Sequence, residues 1–104
     1  MDNEKTLVVF RRWRATKDII ALFPAEPSDI EGWYCLSYER VGQHAGAEYY
    51  GVIQATRPAT DDEAASLAQE LTQIGYNLQP IRRASKAVHE RRRATARALR
   101  ATPV

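Results

Sequence analysis

Segment 60–76 constrains this chain most, because its residues carry every local signal of an amphipathic helix. Thr60 followed three residues later by Glu63 makes a capping box, Asp61 and Asp62 suit the positive end of a helix, and Gly75 supplies a stop. Between them Ala64, Leu67, Ala68, Leu71 and Ile74 recur at the spacing that lays one helical face on a sheet. Tyr76 follows the glycine, placed to pack back on the last turn. A helix with one apolar stripe needs an apolar sheet face, so the rest of the chain has to supply strands.

Residues 6–14 (TLVVFRRWR) and 18–23 (DIIALF) are rich in β-branched and aromatic side chains, with Ala15, Thr16 and Lys17 between them, which predicts two antiparallel strands joined by a short hairpin. Residues 24–32 (PAEPSDIEG) read as a loop, and 33–40 (WYCLSYER) as a third strand. Gly42, Gly46 and Gly51 mark 41–50 as a loop, after which 51–56 (GVIQAT) reads as a fourth strand paired with the third. Beyond the helix, 77–83 (NLQPIRR) is a short fifth strand that Pro80 confines to an edge. Residues 84–101 are alanine-rich without glycine or proline, a further helix with a thin apolar stripe that docks weakly or frays. The expected fold is α+β, an antiparallel sheet of four to five strands (β-β-β-β-α-β) with one packed helix and a basic C-terminal helix. Residues 1–83 are expected to form a single domain and 84–104 a basic helical or partly disordered tail.

A 104-residue chain with 44% hydrophobic content builds one modest core, and a large enclosed cavity would compete with it for volume. A shallow binding surface is the easier expectation. Cys35 is the only cysteine, which excludes an internal disulfide and a cysteine-pair zinc site and fits a reducing cytoplasm. The first residues lack a basic n-region and the apolar run 19–23 ends at Pro24, so neither a signal peptide nor a membrane span is expected. Neither phosphate-binding glycine motif is present, and His44 and His89 show no metal-ligand spacing, so no cofactor or metal is expected.

The net charge of +2 conceals an asymmetry. Residues 1–81 hold seven Lys/Arg against twelve Asp/Glu, or −5, whereas 82–104 hold eight against Glu90 alone, or +7. Lys86, Arg93, Arg97 and Arg100 recur near helical spacing, and with Arg82, Arg83 and Arg92 they make a candidate nucleic-acid contact that would track phosphates without reading sequence. The plainer reading is a solvated helix, or one docked on the acidic body or on a partner's acidic surface. A membrane surface is disfavoured by the lack of large apolar anchors.

Two other segments carry candidate chemistry. In FRRWR, residues 10–14, arginines interleave with Trp13 as single-strand stacking surfaces require, although arginines on an edge strand also block aggregation. Alternation sets Arg12 and Arg14 on one face and Arg11 and Trp13 on the other. The 41–50 loop collects Gln43, His44, Glu48, Tyr49 and Tyr50, a candidate binding surface in which a histidine beside a carboxylate could serve as a general base. No serine or cysteine stands at a spacing that implies a triad, and Cys35 in its apolar strand reads as a buried, inert thiol.

The motifs IIALFPAEP (19–27), GQHAGAEYYGVI (42–53), TRPATDDE (56–63) and IGYNL (74–78) together resemble a widespread group of small, uncharacterised bacterial proteins also met on phages and plasmids. The likeness spans residues 8–83 and stops before the basic tail. It implies a bacterial or mobile-element origin and a small accessory protein rather than a metabolic enzyme, with the GQH loop as the surface to test. The leading expectation is a non-enzymatic binding module with nucleic acid as the most concrete partner. The alternatives are a protein-interaction factor or inhibitor acting through 41–50 and the sheet surface, and, more weakly, a small enzyme using His44 and Glu48. Edge strands also leave a homodimer open.

Overall fold

The computed structural model describes residues 4–40 and 43–101. Val41 and Gly42 of the expected loop, the first three residues and the last three of the tail lie outside the described residues. The elements run β1 (Thr6–Trp13), β2 (Ile19–Pro27), β3 (Cys35–Tyr38), β4 (His44–Ala47), α1 (Tyr49–Ala55), β5 (Thr56–Pro58), α2 (Asp61–Ile74), β6 (Leu78–Pro80) and α3 (Lys86–Ala101). The sheet order is β4-β3-β2-β1-β5, antiparallel throughout, with β6 pairing parallel to the first half of β1. The fold is α+β, as expected.

Alternation along β1 and β2 divides the core into two layers. Val8, Ala21, Phe23 and Tyr38 face α2, where Leu67 and Leu71 close over them. Val9, Ile20, Leu22 and Cys35 face the other way, under Tyr49 and Val52 of α1, Ala84 just before α3 and Val88 in its first turn. The sheet is therefore covered on both faces, where the sequence predicts one packed helix. In α2 the capping box forms as predicted, and Tyr76 donates its backbone N–H to Leu71 and stacks on Phe23. Ile74, at the end of the apolar stripe, is exposed.

Three expectations are corrected. Residues 51–56 are not a fourth strand, because 49–55 form α1: the Glu48 carboxylate accepts from the backbone N–H groups of Tyr50 and Gly51, and Tyr49 and Val52, three apart, bury together. The β-branched pair Val52 and Ile53 imitates a strand, but the cap outweighs it. The fourth strand lies inside the expected loop, at His44–Ala47, paired with β3 from Cys35↔Ala47 to Tyr38↔His44. Finally, β2 runs on through residues read as loop. Pro24 is tolerated because the β2–β3 register shifts between Phe23 and Pro27, so no ladder bond is asked of its missing N–H.

The C-terminal helix docks on β2. Gly32 makes this possible. It has a φ of 77°, and a Cβ there would stand 3.0 Å from both the Ala96 Cβ and the Arg93 Cα. Ala96 and Arg92 are consequently buried against the 24–32 segment.

Candidate functional site

The five candidate residues of 41–50 separate onto two faces of the sheet. His44 lies on the α2 side, with Nε2 2.9 Å from the Tyr76 hydroxyl and its ring edge-on to Tyr38 at 4.6 Å. The Tyr38 hydroxyl donates to Glu70 of α2. The GQH and IGY motifs thus meet through a histidine–tyrosine contact that ties the β4 edge to the end of α2. Gln43 is exposed and closes the turn before β4, its backbone N–H bonding to Arg40 and its carbonyl accepting from Glu39.

Glu48, Tyr49 and Tyr50 belong to the other face. Glu48 is spent as the α1 cap, and the buried Tyr49 accepts the Ala84 N–H at its hydroxyl, fastening α1 to the root of α3. Tyr50 is 58% exposed and packs edge-on against Tyr49. His44 and Glu48 are not brought together: the first contacts Tyr76 and the second caps α1. Among the described residues no group of three His, Cys, Asp or Glu gathers as a metal site, and no helix is long and apolar enough to cross a membrane.

The basic candidates also divide. Arg92 is 5% exposed: its Nε donates to the Gly32 carbonyl at 2.9 Å and its Nη1 to the Pro24 carbonyl and to His89 Nδ1, each at 2.8 Å. It is a packing residue rather than a phosphate contact, because it projects from the docked face of α3. The Arg92 N–H fixes His89 Nδ1 as an acceptor, leaving the proton on Nε2, which is buried without a hydrogen-bond partner among the described residues. Burial and then the Arg92 charge lower the His89 pKa.

Arg82, Arg83, Lys86, Arg91, Arg97 and Arg100 are exposed. Lys86 lies 4.0 Å from Glu90, and Arg100 pairs with Glu31 at 3.1 Å. The Arg93 guanidinium stands 4.0 Å over the ring of Trp33, itself 55% exposed. The outward flank of α3 therefore combines cations with an aromatic plate that the sequence reading assigned to a strand.

The FRRWR segment alternates as predicted. Arg11 is buried, its guanidinium bonded to Thr56 Oγ1 and to the Ile53 and Thr56 carbonyls, so it serves the C-terminal end of α1. Burial, chiefly, lowers its pKa. The Trp13 indole donates to Glu39 at 3.0 Å. Arg12 turns to the opposite face and shares Glu63 with Arg57. The side-chain bonds from Arg57, the Thr60 N–H and Arg12 hold the Glu63 carboxyl well below the usual range. Sequence reading found Glu63 as a cap but missed this second role, whose only signal is that Arg12 lies opposite Arg57 once β1 and β5 pair. Comparison with models of protein families, with curated proteins and with solved structures returns no match.

Proposed function

We propose that this chain is a non-enzymatic accessory module, of bacterial or mobile-element origin and working in a reducing cytoplasm, that binds nucleic acid along the outward flank of α3. One observation carries the reading: Arg93 stacks over the exposed Trp33, and Lys86, Arg97 and Arg100 are exposed on the same helix, while its opposite face is locked into the fold. A helix anchored in this way presents its cations pre-ordered, and an arginine-backed indole offers bases a stacking surface. Arg82 and Arg83 extend the positive charge toward the body. Substitution tests this better than truncation, since α3 contributes to the core.

Fluorescence anisotropy of labelled single- and double-stranded DNA and RNA, at low and near-physiological salt, is the measurement. The expected result is binding that weakens steeply with salt, with a slope reduced by about 1.5 in the Lys86→Gln/Arg97→Gln double variant. Trp33→Ala should weaken single-strand binding without changing that slope. No binding at low salt would overturn the reading.

The sheet edge supports a second reading, a protein-interaction factor or inhibitor. Strand β4 ends the sheet with Ala45, Gly46 and Ala47, and exposes no Lys or Pro that would guard it against an added strand. Gln43, His44 and Tyr50 lie next to this edge, where a second copy would also pair. A complex of defined stoichiometry that survives moderate salt favours this reading over the first.

A further inference from the structure

The end of β1 holds a second concentration of positive charge, separate from α3. Arg12 on β1 is directly opposite Arg57 on β5, like charges that destabilise a cross-strand pair. Arg14, two residues beyond Arg12, falls on the same face. The three arginines, with Trp13 and Thr16, line a pocket of 340 Å³. Glu63 is the carboxylate that answers them, and both its oxygens are already engaged: Oε1 accepts from Arg57 and the Thr60 N–H, and Oε2 from Arg12 and Arg57. Among the described residues Arg14 has no ion-pair partner. In the adjoining turn the Thr16 hydroxyl donates to the Asp18 carboxylate at 3.4 Å and accepts the Asp18 backbone N–H at 3.1 Å. Arg14 and Arg83 also oppose the charge on the buried Arg11 behind the pocket.

Two guanidiniums sharing one saturated carboxylate, with a third lining the same pocket, is an arrangement that costs stability unless something else neutralises it, and such local conflicts mark sites kept for function. We propose that the pocket formed by Arg12, Arg14, Arg57 and Thr16 binds a phosphate group. Guanidiniums match phosphate through paired N–H donors, and the positive charge that Glu63 leaves unanswered suits a phosphate anion. Arg12 and Arg57 are oriented in advance by Glu63, and the exposed Arg14 closes on the anion. The phosphate belongs either to a small phosphorylated molecule or to a polynucleotide backbone. The pocket stands whether or not the α3 flank binds.

The experiment is an NMR titration of the full chain, following the arginine Nε–Hε resonances, with inorganic phosphate, a thymidine decanucleotide and a glutamate-rich peptide in separate arms at constant ionic strength held with chloride. Saturable shifts at Arg12, Arg14 and Arg57 with phosphate, weakened about tenfold in Arg14→Gln, are expected, since one charge-assisted contact is lost. The fold of that variant is checked by its unchanged amide spectrum away from 12–17. Shifts with inorganic phosphate assign a small-molecule site, and shifts with the decanucleotide alone assign a backbone contact. No saturable shift with either, an unchanged response in Arg14→Gln, or equal binding of the acidic peptide would overturn the proposal.

Discussion

Replacing Arg92 by leucine isolates what holds α3 to the sheet. The substitution removes the donors to the Gly32 and Pro24 carbonyls and to His89 Nδ1, all in a contact where the arginine is 5% exposed. Each buried acceptor left without a partner costs about 1–3 kcal/mol. Leucine needs no desolvation of a guanidinium, which returns part of that cost, so a net loss of about 2–4 kcal/mol is expected. For a domain near this size a loss of 1 kcal/mol lowers Tm by about 4–8 °C, giving a decrease of roughly 10–30 °C. Lysine at this position keeps the charge but not the fork and should recover little. Thermal unfolding followed by circular dichroism measures the shift, and amide exchange across 86–101 shows whether α3 loosens first. Arg97→Leu, on the exposed flank, is the control, expected to stay within about 0.5 kcal/mol of the parent. An Arg92→Leu protein as stable as Arg97→Leu would refute the buried carbonyl contacts.

Two titrations test the same layer of the core. Burial and Arg92 lower the His89 pKa, so the neutral ring is the form the fold prefers; its contribution is present above the unfolded value, about 6.5, and is lost as pH falls through the lower folded value. An NMR titration of the His89 ring should give a midpoint below that of free histidine, together with weaker α3 docking in acid, and a midpoint at or above the free value would be inconsistent with the buried ring. Burial pushes the Cys35 thiol from 9.0 to about 11, so stability should be intact below pH 9 and decline as pH rises toward 11, a decline that Cys35→Ala removes. Thiol labelling under native conditions should be slow and limited by opening of the fold, and labelling at the rate of an exposed cysteine would contradict it.

What is legible before folding is what local chemistry decides. Thr60, Glu63 and Gly75 specify the ends of α2 through bonds made within a few residues, and the β1–β2 hairpin follows from two β-rich runs with a short connection. Pro80 marks an edge because its ring removes a donor wherever it sits. The stretch 43–56 is misread because its deciding contact is a side-chain cap: Glu48 turns a β-branched run into α1, and Gly46, read as a loop residue, is extended into β4 by pairing with β3. The division of charge between an acidic body and a basic C-terminal segment is likewise plain from composition.

The candidate sites divide in the same way. By itself the sequence determines that the last helix is basic and that arginines alternate about Trp13, since both are properties of spacing along one element. Only the tertiary structure decides which of those arginines faces solvent. Arg92 and Arg93 are neighbours with the same chemistry, yet one helical step of about 100° turns the first onto the carbonyls of Pro24 and Gly32 and the second over Trp33. Arg12, Arg14 and Arg57 become one pocket only when β1 and β5 pair, because the register that sets Arg12 opposite Arg57 joins residues 45 positions apart and no local signal records it.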